Sequence, residues 1–163
     1  MTGDDAGGQA DADVAGDAGD VAGDGDEVAD EDAPIVALDA SALMAPVETG
    51  LRLFEELDRL LPDHRAVVPD AVVAELERLQ DGAGEAATAA SVGADLASRV
   101  DTVETAEGDA AEPHADDAIV ALAEAGEVDY VVTNDRPLRN RVLARGVPVI
   151  GLRGRNALGI TEP

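Results

Sequence analysis

Four acidic side chains of this sequence could together hold a divalent cation: Asp39, Glu75, Asp117 and Asp135. Mg²⁺ and Mn²⁺ take oxygen ligands, and Mg²⁺ usually combines one or two carboxylates with water and substrate phosphate. Carboxylates that converge without a cation raise each other's pKa and repel, so such a cluster is costly unless a cation offsets the charge. If these acids meet in the fold, they predict a Mg²⁺ or Mn²⁺ site.

Several other kinds of chemistry lack the residues they need. Cysteine is absent and all 11 basic residues are arginine, so there is no thiolate ligand and no lysine for a phosphate-binding loop. No Gly-x-Gly-x-x-Gly motif follows the first predicted strand. The sequence Asp39-Ala40-Ser41 also lacks the second aspartate that a phosphoaspartyl phosphatase would carry two residues on. A nucleotide-binding or phosphatase-like α/β protein is therefore disfavoured.

The elements that must position the acids are short apolar runs alternating with helical patterns. Continuously apolar runs predict buried strands at 35–38, 66–68, 100–103, 129–133 and 147–152. Apolar residues at helical spacing predict helices at 51–61, with Thr49 as the cap and Pro62 as the stop, and at 70–80, 85–99, 115–125 and 136–145. This alternation predicts an α/β fold in three layers, with a mostly parallel five-stranded sheet flanked by helices.

Two of the acids directly follow predicted strands. Asp39 follows the first strand, and Asp135 follows the strand at 129–133 by way of Asn134, so both fall at the carboxyl ends of parallel strands, where α/β folds place their functional crevice. Asp117 lies in the first turn of a helix, and Glu75 borders an apolar helical stripe. Each acid has a structural alternative, since Asp135 could be a helix cap, Asp117 a first-turn charge and Glu75 a solvated residue.

The composition predicts three parts of the chain. Residues 1–33 hold twelve acids and no base, and otherwise mostly Ala and Gly, so they predict a disordered acidic leader. Residues 34–155 predict one globular domain, and residues 156–163 a C-terminal tail. No apolar run approaches the roughly 20 residues of a membrane-spanning helix, so the expected location is the cytoplasm, away from the membrane.

The formal net charge of −25 is extreme for 163 residues. A lysine-free, acid-rich and Ala- and Val-rich composition is typical of salt-loving archaea, where molar salt shortens the Debye length to about 3 Å. The alternative is that the acidic surface itself binds cations or basic partners.

Four segments resemble a known family in order and spacing: IVALDASALM, VVPDAVVAEL, HADDAIVALA and YVVTNDRPLRNRVLARGVPVIGL. They resemble the PIN domain, and within it the archaeal branch akin to nucleases that process ribosomal RNA. The resemblance covers about residues 34–155 and implies a metal-dependent endoribonuclease that hydrolyses RNA phosphodiester bonds.

The resemblance also implies roles for individual residues. One or two Mg²⁺ or Mn²⁺ ions would be held by Asp39, Asp117 and Asp135. Glu75 would be a further ligand or would position water. Asp116, next to Asp117, is a second choice as a metal ligand. Three polar residues match family positions next to these acids, namely Ser41, Thr133 and Asn134.

The stretch from Thr133 to Asn156 is basic. It holds six arginines against the single acid Asp135, and arginine suits phosphate because its guanidinium can donate two parallel hydrogen bonds. The arginines expected to bind RNA are Arg136, Arg139, Arg153 and Arg155, together with the polar residues beside the acids, Ser41, Thr133 and Asn134. The alternative is that these arginines pair with surface acids or solubilise an exposed face.

Two other functions share this fold. One is an RNA-binding scaffold that does not cleave, because fold alone does not fix function. The other is the toxin of a toxin–antitoxin pair. A homodimer, a ribosome-biogenesis partner and an antitoxin all stay open as protein partners.

Overall fold

A computed structural model of the chain describes residues 32–105 and 114–163. The predicted disordered leader at 1–33 lies almost entirely outside the described residues. The strands are β1 Ile35–Leu38, β2 Arg65–Pro69, β3 Asp101–Val103, β4 Tyr130–Val132, β5 Val149–Arg153 and β6 Ala157–Thr161. The helices are α1 Ala40–Thr49, α2 Leu53–Leu60, α3 Asp70–Gln80, α4 Gly84–Ala97, α5 Ala115–Glu124 and α6 Arg136–Ala144.

The strands form one sheet in the order β3-β2-β1-β4-β5-β6. Every neighbouring pair is parallel except β5 and β6. The central strands β1 and β4 pair with each other, with Leu38 beside Val132. From β1 the chain adds β2 and β3 on one side of the sheet, and from β4 it adds β5 and β6 on the other. In open α/β sheets this change of direction opens a crevice at the carboxyl ends of the two central strands. Asp39 follows one of these strands and Thr133 the other.

The predicted α/β class and mostly parallel sheet are confirmed, but the predicted count of five strands is wrong. The sixth strand, β6, is formed by residues that were expected to be a C-terminal tail. It pairs antiparallel with β5, and Gly159 lies opposite Gly151. Glycine is depleted in strands and offers no side chain to pack, so it obscured the strand pattern in Ala157–Thr161.

Helix α1 was not predicted, and the predicted cap at Thr49 is wrong. Pro46 lies inside α1, and proline within a helix normally argues against one because it removes a backbone donor. Thr49 is the last residue of α1, and its Oγ1 donates to Ala45 O at 3.1 Å. Gly50 then ends the helix with φ 79°, a left-handed conformation that glycine adopts without steric cost. The next helix therefore begins only at Leu53.

The core is apolar and lies between the sheet and its helices. The largest fully buried side chains come from both: Leu38, Leu43, Leu57, Leu76, Ile119, Leu138 and Ile150. Full burial of one such side chain contributes roughly 1.5–3 kcal/mol. Helices α1 and α4 approach closely at Gly93, where an added Cβ would lie 3.1 Å from Leu43 O.

A polar network fastens α2 to the edge strand β6. Glu56 Oε1 accepts hydrogen bonds from Arg59 Nη2 at 2.8 Å and from Leu158 N at 3.0 Å, and Arg59 Nη2 donates to Leu158 O at 2.8 Å. The hydrogen bond from Arg59, followed by the one from Leu158, lowers the pKa of Glu56. Both outward backbone groups of Leu158 are thus satisfied, which blocks further strand pairing at that point. None of the described helices is long and apolar enough to cross a membrane.

Candidate active site

A cleft of about 620 Å³ opens beside the carboxyl ends of β1 and β4. All five predicted acids line it, namely Asp39, Glu75, Asp116, Asp117 and Asp135. They arrive from four different places, the ends of β1 and β4 and the helices α3 and α5. We call this cavity the acidic cleft.

Asp39 is the most enclosed of these acids. Its residue is 4% exposed, and Asp39 and Thr133 are the only buried polar or charged residues within 32–105 and 114–163. Asp39 N donates to Val132 O at 3.0 Å, so the sheet ladder fixes the backbone beneath the carboxylate. A carboxylate placed here is expensive unless it is hydrogen-bonded or faces a cation.

Two hydroxyl groups orient the Asp39 carboxylate. Ser41 Oγ donates to Asp39 Oδ2 at 2.8 Å, and Thr133 Oγ1 donates to the same oxygen at 2.7 Å. The two hydroxyls in turn accept backbone hydrogen bonds, Ser41 from Asn134 N at 2.9 Å and Thr133 from Asp135 N at 3.0 Å. Each hydroxyl has one proton to donate, so its donation to Asp39 and its acceptance from the backbone are compatible. The Thr133-Asn134-Asp135 corner is therefore locked to Asp39.

Burial raises the pKa of Asp39 above its ordinary value. Hydrogen bonds from Thr133 and Ser41, and from backbone N–H groups of α1, act in the opposite direction but do not cancel the desolvation. The carboxylate form is thus held by good donors in a place where it is poorly solvated. A cation in the cleft would relieve this conflict.

Asp116 is affected by the negative charge of the other acids in the cleft. Burial raises its pKa first, and the carboxylates of Asp39 and Asp135 raise it further, while Arg141 lowers it. Its neighbour Asp117 is exposed, with 59% of its side chain accessible, and accepts a hydrogen bond from Arg141 Nη2 at 2.9 Å. Of the two adjacent acids, Asp116 interacts more directly with the acids that end β1 and β4.

Glu75 is also engaged by an arginine. Arg78 Nη2 makes a short hydrogen bond with Glu75 Oε1 one helical turn along α3. Glu75 and Asp117 therefore line the cleft with their charge partly neutralised. Asp39, Asp116 and Asp135 make no ion pair with an arginine in the described ranges.

The capping alternative for Asp135 finds no support in the geometry. Asp135 occupies the N-cap position of α6, yet its side chain makes no capping hydrogen bond, and Asp39 stands at the corresponding position before α1. Both side chains line the acidic cleft. Their placement therefore leaves the carboxylates available to something that enters the cleft.

The donor set fits a hard divalent cation, although it is not closed around one. Within 32–105 and 114–163, no three His, Cys, Asp or Glu side chains are arranged to hold a metal ion by themselves. Mg²⁺ typically needs only one or two carboxylates and completes its shell with water and substrate phosphate. A buried carboxyl and a half-buried one, each with a raised pKa, provide oxygen ligands in a site whose excess negative charge a cation would offset.

Two residues that line the cleft, Glu48 and His114, were not among the predicted site residues. Glu48 lines the cleft from α1, one turn after Met44, and became visible only with the helix that Pro46 concealed. His114 lies at the N-cap of α5 and also lines the cleft. The spacing Ser41, Met44 and Glu48 is the signal that would have revealed a helical face, had α1 been recognised.

The arginines divide into two groups. Seven of the 11 form ion pairs with carboxylates: Arg52, Arg59, Arg65, Arg78, Arg99, Arg141 and Arg145. The other four form no ion pair with a described carboxylate: Arg136, Arg139, Arg153 and Arg155. These are the four arginines that were expected to bind RNA, whereas Arg141 and Arg145 of the same basic stretch form ion pairs with acids of α5. The unpaired arginines are thus concentrated after β4.

Comparison with known proteins agrees with this architecture. One similar solved structure is described as "Structure of the PIN domain endonuclease Utp24", with a TM-score of 0.64 and 23% identity over 79% of this chain and 92% of that one. A domain of a functionally unknown protein from Methanocaldococcus jannaschii DSM 2661 gives a TM-score of 0.55 and 19% identity over 75% of this chain and 93% of that one. At these identities the two structures show the fold alone.

No curated protein matches this sequence. The family comparison is decisive, because residues 36–155, most of the chain, match the family described as PIN like domain. That match covers β1 through β5 and every acid of the cleft. The chain therefore belongs to the PIN-like domain family.

Proposed function

We propose that this protein is a Mg²⁺- or Mn²⁺-dependent endoribonuclease that hydrolyses phosphodiester bonds of RNA. The observation that carries the proposal is the meeting of Asp39, Asp116 and Asp135 in one cleft, at the crevice between β1 and β4. PIN-domain proteins are generally nucleases, and one structural neighbour is named as a PIN domain endonuclease.

In this proposal Asp39, Asp116 and Asp135 would hold the cation together with water and substrate phosphate, because the three carboxylates do not close around an ion by themselves. A divalent cation, when bound, supplies positive charge and Lewis acidity toward a phosphodiester. Asp117 was expected in the place now given to Asp116, but it is exposed and paired with Arg141. Asp117 and Glu75 then act at the rim of the cleft, where release from Arg141 and Arg78 would make them available as further ligands or to orient water.

The chain's own residues prepare the site for that charge. Ser41 and Thr133 donate to Asp39 Oδ2 and so fix the direction of its carboxylate before anything binds. Because both hydroxyls also hold the backbone of residues 134–135, the same contacts place Asp135 at the cleft. Ser41 and Thr133 are positioning residues in this account.

The substrate is proposed to be RNA because the arginines without carboxylate partners follow the site in sequence. Arg136 and Arg139 lie on the helix that starts at the Asp135 corner, and Arg153 and Arg155 lie at the end of β5 and beyond it. A role in ribosomal-RNA processing in a salt-loving archaeon is the specific form of this proposal. It draws on the acidic, lysine-free composition and on the resemblance of the four sequence segments.

The test is cleavage of end-labelled single-stranded and hairpin RNA in molar KCl, with Mg²⁺, Mn²⁺ or EDTA. We expect cutting with a divalent cation and none in EDTA. Asp39→Asn and Asp116→Asn should each lower the cleavage rate at least 100-fold, because loss of one major electrostatic contribution to a transition state costs roughly 10²–10³ in rate. A pre-ribosomal RNA and a transfer RNA serve as alternative substrates.

The matched control is Asp95→Asn, which removes an equal charge from an exposed ion pair with Arg99, outside the acidic cleft. It should cleave like the natural protein. Cleavage that persists in EDTA, or that survives in both Asp39→Asn and Asp116→Asn, would contradict the metal-dependent proposal. If Asp117→Asn and Asp116→Asn lower the cleavage rate equally, Asp117 is a ligand of the cation as well.

A non-cleaving RNA-binding scaffold is the second candidate. It is favoured by the ion pairs that occupy Glu75 and Asp117 and by the lack of a closed metal site among the described residues. RNA that is bound but left intact by the folded protein in the presence of Mg²⁺ or Mn²⁺ would establish this candidate instead.

A further inference from the structure

A second cavity lies on the other side of the Thr133-Asn134-Asp135 corner from the acidic cleft. Its volume is about 260 Å³. Thr133 and Asn134 line this cavity, whereas the next residue, Asp135, lines the acidic cleft. The two cavities are therefore neighbours that share one short loop. Nine residues line it: Thr133, Asn134, Arg139, Val149, Gly151, Leu152, Arg153, Gly159 and Thr161.

The cavity exists because two glycines face each other across β5 and β6. Gly151 pairs with Gly159, so neither strand places a side chain on the sheet at this point. A Cβ at Gly151 would lie 3.0 Å from Thr133 O. A Cβ at Gly159 would lie 2.6–2.9 Å from Cγ, Cζ and Nε of Arg153, so the Arg153 side chain occupies the space that the glycine leaves. The glycine pair forms the floor of the cavity, and Arg153 lies across it.

The polar groups around this floor are mainly donors. Arg153 Nη2 donates to Ile160 O at 3.0 Å, which fixes the guanidinium and leaves its other N–H groups available. Leu152 N donates to Asn134 Oδ1 at 2.9 Å, a contact that does not use the two protons of the Asn134 amide nitrogen. Arg139 Nε is the only buried side-chain nitrogen or oxygen without a hydrogen-bond partner in the described ranges.

The charge of this cavity is opposite to that of the chain. Arg139 and Arg153 are its only charged lining residues, and neither forms an ion pair with a described carboxylate, although acids outnumber arginines 36 to 11 in the sequence. A buried donor without an acceptor is destabilising, so an anion that accepts from Arg139 would be stabilised here. The volume is slightly below the roughly 300–1,000 Å³ of ordinary ligand pockets, which suits a small anionic group.

We propose that this arginine pocket, formed by Arg139, Arg153 and Asn134 over the Gly151–Gly159 floor, binds a backbone phosphate of single-stranded RNA next to the one held in the acidic cleft. The inference rests on the proposed RNA substrate but not on cleavage. A strand running over the Thr133-Asn134-Asp135 corner would place one phosphate on each side of it. The pocket thus fixes the register of the strand, while the acidic cleft acts on the neighbouring linkage.

The first test measures binding of fluorescein-labelled single-stranded RNA in EDTA, where no metal-dependent turnover competes. Arg139→Gln and Arg153→Gln should each weaken binding about tenfold at moderate salt, or about 1.4 kcal/mol, because each substitution removes a charge-assisted hydrogen bond to the phosphate. Gly159→Ala should weaken binding similarly because its Cβ displaces Arg153. Arg99→Gln, which removes an equal charge from an exposed ion pair, is the control and should bind like the natural protein.

The second test locates the phosphate. Single linkages of the RNA are replaced one at a time by neutral methylphosphonates, and binding to the natural protein is compared with binding to Arg153→Gln. One linkage should weaken binding to the natural protein and have little further effect on Arg153→Gln. The proposal is overturned if every linkage has the same effect on both proteins, or if Arg153→Gln and Gly159→Ala bind like Arg99→Gln.

These outcomes separate the pocket from the nuclease. Weaker binding by Arg153→Gln in EDTA together with no cleavage in Mn²⁺ would support the pocket and reject the nuclease. Cleavage that depends on Asp39, together with RNA binding that does not change in the Arg139 and Arg153 variants, would support the nuclease and reject the pocket. Circular dichroism of each variant verifies that loss of binding is not loss of fold.

Discussion

At the scale of single residues, Asp39 lowers the stability of the fold while it prepares the site to bind a cation. Its carboxylate is buried, and burial raises its pKa despite two hydroxyl donors. A carboxyl whose folded pKa lies above its unfolded value destabilises the fold once it is ionised. The hydroxyls of Ser41 and Thr133 limit this cost and also fix the geometry, so the site is ordered before a cation arrives.

Asp39→Asn is therefore expected to stabilise the protein in EDTA while removing its activity. Asparagine can keep accepting from Ser41 and Thr133 through its carbonyl oxygen, but it carries no charge to desolvate. The free energy of unfolding should rise by about 1 kcal/mol, a usual size for a stabilising substitution at a functional site. Urea unfolding followed by circular dichroism, in molar KCl with EDTA, measures the difference.

The pH dependence has a definite sign. The stability of the natural protein relative to Asp39→Asn is fully present below pH 3.8, the ordinary pKa of Asp, and is lost as the pH rises through the higher pKa of folded Asp39. The advantage of Asp39→Asn should therefore grow from pH 3.8 upward and level off once Asp39 is ionised. Asp95→Asn, which removes the same charge from an exposed ion pair, is the control, and equal gains in both variants would show that the effect is general charge repulsion.

At the scale of elements, the parts that sequence could predict are those whose pattern is local. Strands β1 and β4 are continuous apolar runs buried on both faces, so their positions, and with them Asp39 and Asp135, could be read directly. Helix α1 could not, because Pro46 lies within it, and Glu48 was missed with it. Strand β6 was not predicted because Gly159 interrupts its apolar pattern. In the proposed arginine pocket, the missing side chain of Gly159 leaves space for Arg153.

The choice between Asp116 and Asp117 shows a second limit. Both lie in the first turn of α5, and adjacent helical residues point about 100° apart. Which of them faces Asp39 depends on how α5 is rotated against the sheet, and that is set by the tertiary packing of Ile119 and Leu122. Sequence could thus name the pair but not the member that turns inward.

Helix packing near the site gives an element-scale prediction at Gly93. Ala at this helical position would gain about 1 kcal/mol in helix propensity. Its Cβ, however, would lie 3.1 Å from Leu43 O and 3.2 Å from Leu76 Cδ2, and a backbone carbonyl cannot rotate away. Overpacking of this kind costs about 1–3 kcal/mol, so we expect a net loss of about 1 kcal/mol. The urea midpoint measures it, and cleavage should also fall because α1 carries Ser41.

Gly82→Ala is the matched control for Gly93→Ala. Gly82 is near the end of α3, and its added Cβ would meet only Leu79 O at 3.4 Å, an ordinary contact. This variant should keep the natural midpoint within about 0.5 kcal/mol, as surface substitutions usually do. If Gly93→Ala proves as stable as Gly82→Ala, the close approach of α1 and α4 does not constrain the site.

At the scale of the whole molecule, the net charge of −25 sets two salt effects against each other. Repulsion among the acids opposes the compact state, and salt screens that repulsion. Salt also weakens the attraction between the unpaired arginines and RNA, because binding releases counterions from the phosphates. Folding therefore gains from KCl while substrate binding loses.

The expected result is a rate that passes through a maximum as KCl increases. At an RNA concentration below saturation, kcat/KM should first rise with the folded fraction, which circular dichroism follows independently. It should then fall, and if four phosphates are contacted the slope of log affinity against log salt is about −2.8, or roughly 600-fold per tenfold increase in KCl. Arg153→Gln should lower that slope by about 0.7 and leave the rising limb unchanged, since the limb reports folding. A kcat/KM that keeps rising with KCl after folding is complete would show that the RNA is held by contacts other than these arginines.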